Sequence, residues 1–129
     1  MKVLLAGNDR RQLSEVKHAL LAEGIAAEYV NTGIDCVNSL RNSRPDVLVI
    51  ERDLMWGGLA GVRSVMRGDR LLAHVPIVVF TEDEACPEEL GSLSDPPVVG
   101  WLKKGFCNRE LICQIESARG AAWINHLYV

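Results

Sequence analysis

The chain has 129 residues and a formal net charge of −3, one domain's worth of sequence, which excludes a tandem receptor or an enzyme with a separate cofactor domain. Apolar residues make up 48%, so the chain is neither disordered nor short of core. No apolar run approaches the roughly 20 residues that span a bilayer, and the mild acidity speaks against a nucleic-acid surface.

The first apolar run, residues 3–6, is followed at once by Gly7-Asn8-Asp9. It is too short for a signal-peptide core and reads as a strand. Leu13, Val16, Leu20 and Leu21 then share one helical face, and Gly24 marks the stop. A second strand is expected at 26–30. Thr32 caps a helix to about residue 42, with Ile34, Val37 and Leu40 facing inward. A third strand at 47–50 precedes a short helix over 59–67. A fourth strand at 75–80 precedes a weak helix over 84–93, with Pro87 in its first turn and Gly91 inside it. A fifth strand at 98–102 leads to a last helix capped by Asn108, where Leu111, Ile115, Ala118 and Ala122 repeat along one face. The tail, 121–129, is expected to pack back on the domain or on a partner.

These short, aliphatic, unbroken runs suit strands buried on both faces of a parallel sheet. Five alternating strand and helix units with right-handed crossovers place helices on both sides of it. The site of such a fold lies at the carboxyl ends of its strands. There stand Asn8 and Asp9, Glu51 and Asp53, Thr81, and Trp101 with Lys103 and Lys104. Carboxylates, a hydroxyl and an ammonium converging at one edge suit a divalent cation and a phosphoryl group. The cysteines (Cys36, Cys86, Cys107, Cys113) form no CxxC pair and read as reduced thiols of a cytoplasmic protein. His18, His74 and His126 lie on unrelated elements and do not suggest a metal site.

Three segments in this order resemble the receiver domain of bacterial two-component response regulators. Pro45-Asp46-Val47-Leu48-Val49-Ile50-Glu51 is similar to the segment that ends at the phosphoacceptor. Val75-Pro76-Ile77-Val78-Val79-Phe80-Thr81 is similar to the strand that delivers the switch hydroxyl. Trp101-Leu102-Lys103-Lys104-Gly105-Phe106 is similar to the aromatic-x-x-Lys-Pro-Phe segment. The resemblance implies a flavodoxin-like (βα)5 three-layer sandwich, with a five-stranded parallel sheet in the order 2-1-3-4-5. It implies a single receiver-like domain over 1–129, with its core at about 2–118 and an extension at 119–129. Glu51 takes the phosphoacceptor position, Asn8 and Asp9 the acidic pocket, and Thr81, Trp101 and Lys104 the switch positions.

The departures from the family bear on function. Glu51 replaces Asp, and its extra methylene displaces the carboxylate from in-line geometry. The paired acids after strand one become Gly7-Asn8 or Asn8-Asp9, depending on register, so at least one carboxylate is missing. Glu82 stands where a small residue gives a phosphodonor access, and the acids over 82–89 repel it. Gly105 replaces the Pro. The loop after Glu51 carries its glycine about two residues late, as if by insertion, and includes Trp56.

The expectation is a degenerate receiver: a cytoplasmic, non-enzymatic signalling module acting by protein binding, independent of phosphorylation. Its partners would be proteins of a signalling pathway or a second copy, met through the face of the fourth predicted helix, strand five and the last helix. Membrane and direct nucleic-acid binding are not expected. No cofactor is expected either; any Mg²⁺ would bind weakly, through Asp9, Glu51 and Asp53. The alternatives are a working phosphoacceptor receiver switched by Mg²⁺-dependent phosphorylation and a flavodoxin-like binder of a small ligand. The second lacks a glycine-rich phosphate cradle. Glu51 as a fixed mimic of a phosphorylated residue is weighed against a simple ion pair with Lys104, and the ion pair is favoured. Trp56 is either an anchor for a partner or a lid over the pocket. Any effector domain would be another chain or a segment outside this sequence.

Overall fold

A computed structural model describes residues 1–82 and 96–128, with residues 120–128 described by their backbone alone. The elements run β1 (Lys2–Ala6), α1 (Arg10–Ala22), β2 (Ala26–Val30), α2 (Gly33–Ser43), β3 (Val47–Glu51), α3 (Gly58–Arg67), β4 (Ile77–Thr81), β5 (Val98–Lys103) and α4 (Asn108–Tyr128). The helix expected over 84–93, with Cys86, lies outside the described residues. The strands form one parallel sheet in the order β2-β1-β3-β4-β5. This is the flavodoxin-like order expected from the sequence.

Alternation along the strands divides the core in two. Leu4, Leu48, Ile50, Ile77 and Val79 face one side, where α2 and α3 bring Cys36, Leu40, Leu59, Val62 and Met66. Val3, Leu5, Val49, Val78 and Phe80 face the other, where α1 and α4 bring Leu13, Val16, Leu20, Leu111 and Ile115. β3 and β4 are buried along their whole length, as the unbroken apolar runs predict. β2 and β5 depart from that expectation. Both are edge strands, β2 half-exposed and β5 alternating between buried and less buried positions.

The helix ends follow local chemistry. Asp9 accepts hydrogen bonds from the amides of Arg11 and Gln12 and so caps α1. Thr32 accepts from the amide of Asp35 and caps α2 as predicted. The inward face of α2 is shifted, however: Gly33, Cys36 and Leu40 are buried, while Ile34 is 62% exposed. Leu21 likewise turns outward on α1. In each helix the residue after a buried one lies about 100° around the axis, and an apolar side chain does not override that geometry. At the start of α4 the capping carbonyl belongs to Cys107, which accepts from Leu111, one residue before the predicted Asn108. The α4 backbone continues helical to Tyr128, through most of the expected tail.

Truncation at the central layer should separate these environments. Leu48→Ala, buried between β1, β4 and the α2–α3 layer, should lower unfolding stability by about 2–5 kcal/mol. Ile34→Ala should change it by no more than about 0.5 kcal/mol. Paired denaturant melts measure both.

Candidate functional site

The strands stop in register at one edge of the sheet, and the chain beyond them builds the site. Ala6 pairs with Ile50, and Glu51 with Phe80. Sheet-like bonds continue past the ends: Gly7 N–H to Val30, Arg52 N–H to Phe80, and Lys104 N–H to Thr81 at 2.8 Å. This continuation carries Asn8, Glu51 and Lys104, far apart in sequence, to one point.

Glu51 closes β3, and its side chain is 9% exposed. A carboxylate this buried must find partners for both oxygens. Asn8 supplies two, its backbone N–H to Oε1 at 3.3 Å and its Nδ2 to Oε2 at 3.1 Å. Lys104 supplies the counter-charge, with Nζ at 3.5 Å from Oε2. The same ammonium lies 3.4 Å from Glu82 Oε1 at the surface. Partial burial opposes the charge on Lys104, but the carboxylates of Glu51 and Glu82 outweigh it and hold its pKa above the ordinary lysine value.

Asn8 is the centre of the arrangement. Its Nδ2 also donates to the carbonyl of Asp53 at 3.0 Å, and its Oδ1 accepts from the amide of Met55 at 2.9 Å. The Met55 amide can only donate, which fixes the orientation of the Asn8 amide and turns Nδ2 toward Glu51. One side chain thereby ties strand one to strand three and to the loop behind it.

The other expected site residues fall into place around this clasp. Asp9 is not in the pocket; it caps α1, so the pocket residues after β1 are Gly7 and Asn8. Gly7 has little room for a side chain. A Cβ there would lie 3.0 Å from Phe80 Cζ and 3.4 Å from Glu51 Oε1. Phe80 is held in turn by an edge-to-face contact with Phe106, centroids 5.9 Å apart. Asp53 points outward, 70% exposed at its side chain and 3.5 Å from Arg52. Thr81 is buried at the end of β4. Trp101 is half-buried against the α2–α3 side of the core, and its Nε1 finds no partner among the described residues. Lys103 is exposed. Gly105 has φ +94°, a conformation closed to the proline of the resembled segment, whose ring fixes φ near −65°.

The residues do not fit a divalent cation. Such an ion needs several hard oxygen donors, and among the described residues no three acidic, His or Cys side chains gather for one. Asp9, Glu51 and Asp53, the set expected to hold Mg²⁺, therefore do not form a cluster. At Glu51, the one buried carboxylate among the described residues, N–H donors of Asn8 and an ammonium take the oxygens.

Trp56 is not a lid. It is 70% exposed, with φ +61°. Its carbonyl lies against Gly33, where a Cβ would stand 1.9 Å from that oxygen. Gly33 N–H also donates to Met55 at 2.8 Å.

Three features went unread in the sequence: the Asn8 clasp, Glu82 as the second partner of Lys104, and Phe80 filling the space beside Gly7. Only the first left a trace there, an amide where the resembled family has an acid.

Lys104 provides a pH test. A raised folded pKa stabilises below the ordinary lysine value of about 10.4, and that contribution is lost as pH rises through the folded value. Lys104→Met should cost about 1–3 kcal/mol at neutral pH by leaving a buried carboxylate short of a partner. The gap between the two proteins should narrow as pH rises above about 10.4, as read by melts across alkaline pH. Gly105→Pro should destabilise by about 1 kcal/mol or more, because its native φ is inaccessible.

No family model matches the chain. Among curated proteins it is 26% identical over 117 residues to response regulator MprA of Mycobacterium leprae, covering 91% of this chain and 50% of that protein. It is 25% identical, with the same coverage, to response regulator MprA of Mycobacterium avium. The chain thus spans about half the length of the curated relatives it matches. Among solved structures it is similar to chemotaxis response regulator CheY4 of Vibrio cholerae, at TM-score 0.80 and 21% identity, covering 91% of this chain and 97% of that one. It is also similar to the receiver domain of sensor histidine kinase PA1611 of Pseudomonas aeruginosa, which holds a coordinated magnesium ion in its active-site cleft. There the TM-score is 0.78 and identity 20%, covering 92% of this chain and 97% of that one. Relatives that are response regulators, and a fold shared with receiver domains, bear out the resemblance of this chain to the response-regulator receiver domain.

Proposed function

We propose that the chain is a signalling interaction module on the receiver fold that works without being phosphorylated. The observation that carries this reading is the closed circuit around Glu51: both carboxylate oxygens engaged by Asn8, with the Lys104 ammonium beside them. A phosphoacceptor must offer a free oxygen in line with the donor, and developing charge on the phosphoryl group needs a metal or equivalent cations. Here the carboxylate is already satisfied from within the chain. Gly7 offers no acid beside it, and the exposed carboxylate of Glu82 at the mouth opposes an anionic donor.

Function then rests on binding, in a cytoplasmic setting and with protein partners of a signalling pathway. The β5–α4 edge suits such contact. An open groove there is lined by Trp101, Lys103 and Arg109, and an aromatic and an arginine are of the kind that partner surfaces favour.

Intact mass and tryptophan fluorescence, measured with Mg²⁺ and a small phosphodonor or beryllium trifluoride, decide the matter. The expected outcome is an unchanged mass and no saturable Mg²⁺-dependent signal. A stable phosphoryl adduct on Glu51 or Asp53 would sink the reading in favour of a working receiver. The variant Asn8→Asp should weaken the clasp by removing the donor and adding a second acid, and should raise Mg²⁺ affinity above that of the unmodified chain.

A further inference from the structure

We propose that Cys113, in the groove between β5 and α4, is a site of reversible thiol modification, where the chain exchanges with a small anionic disulfide.

The cysteines follow no motif in the sequence, but the fold sorts them. Cys36 is buried on the inner face of α2, and burial pushes its pKa up to about 12. Cys107 and Cys113 are both free and exposed, and both line the β5–α4 groove. Two nucleophilic sulfurs thus share one concavity with Trp101, Lys103 and Arg109. They cannot close on each other. Six residues of helix separate them by about 9 Å along the axis, beyond the roughly 7 Å between Cα atoms that a disulfide spans. Oxidation of either thiol in this groove therefore needs an outside partner.

The two sulfurs are not equivalent. Cys107 Sγ donates to Glu110 Oε1 at 3.6 Å, so attack through that sulfur would build negative charge against a carboxylate. Cys113 stands one turn beyond Arg109, at the i+4 position on the same side of α4. Glu110 is also within a turn of Cys113, but its carboxylate is turned to Cys107. Glu116, the next acid along α4, is exposed and lies outside the groove lining.

Charge and size name the reagent. Lys103 and Arg109 are exposed in the groove, and its carboxylate, Glu110, is engaged by a thiol. The lining is therefore cationic, on a chain whose net charge is −3. A guanidinium takes a carboxylate by two parallel hydrogen bonds. The groove has a volume of about 460 Å³, within the range of small-molecule clefts. A small disulfide that carries carboxylates fits both properties, with Arg109 and Lys103 holding its charge beside Cys113. In the exchange the Cys113 thiolate attacks one sulfur of the reagent and the reagent's S–S bond breaks. A mixed disulfide forms, and the other half leaves as a thiol with the proton that Cys113 gave up. The reagent is itself the oxidant. The adduct would fill the groove assigned above to partner binding, but the chemistry does not depend on that reading or on how Glu51 is used.

Intact mass and peptide mapping of the reduced full chain, incubated at neutral pH with glutathione disulfide as the probe, test this. The first adduct should be a single glutathionyl group on Cys113, removed by a reducing thiol. Cys113→Ser should abolish that adduct, and Cys107→Ser should leave it unchanged. Arg109→Glu should slow the reaction about tenfold but leave the rate with uncharged hydroxyethyl disulfide as it was. All three positions are exposed, so circular dichroism and melting temperature should match the parent. The absence of an adduct would overturn the proposal, as would a first adduct on Cys36, Cys86 or Cys107. A rate with glutathione disulfide that is indifferent to Arg109→Glu would overturn it as well.

Discussion

A carboxylate removed from water sets terms for everything near it. Left alone at the end of a central strand, Glu51 would cost several kcal/mol; its oxygens must be met by donors and its charge by a cation. The chain meets both demands with residues from two separate loops. Asn8 arrives from β1 and Lys104 from β5, and both are placed by sheet bonds that run one residue past the strands. The edge of the sheet is thus a closed electrostatic unit, and its loops are positioned partly by that closure.

The consequence reaches beyond the pocket. The Asn8 amide that serves Glu51 also holds the Asp53 carbonyl and the Met55 amide. The loop bearing Trp56 is therefore not an independent surface feature; its backbone is bonded to the side chain that also donates to Glu51. Lys104 does the same on the other side, reaching from buried Glu51 to exposed Glu82. A change at Glu51 would be felt at two surfaces with no moving domain between them. That coupling is what the proposed binding module would rest on, its shape set by folding rather than by phosphorylation.

Much of this was legible in the sequence. The five strands and the two helical layers follow from aliphatic runs, cap residues and spacing, the strand order from the resemblance to the receiver domain, and the pairing of Glu51 with Lys104 from strand ends. What was not legible is instructive. Ile34 and Leu21 look like core residues by type, but helical phase turns them outward. Asp9 looks like a pocket acid, but the first free amides of α1 claim it as a cap. Local demand for a cap acts within three residues, whereas a pocket role depends on where distant strands end, and a linear reading cannot rank the two. Asn8 was visible only as a missing acid. That its amide would bridge three partners depends on the path of the loop after Glu51, which no periodicity encodes.

The close approach of Trp56 to Gly33 ties two positions into one unit of inheritance. The path of the loop after β3 is possible only because the residue opening α2 has no side chain: a Cβ would stand 1.9 Å from the Trp56 carbonyl. A domain of this fold could not acquire the loop first and the glycine later without pushing α2 off the sheet, nor lose the glycine and keep the loop. Relatives whose loop takes this path should therefore share the glycine. Grafting this surface onto another receiver scaffold would mean moving both segments together.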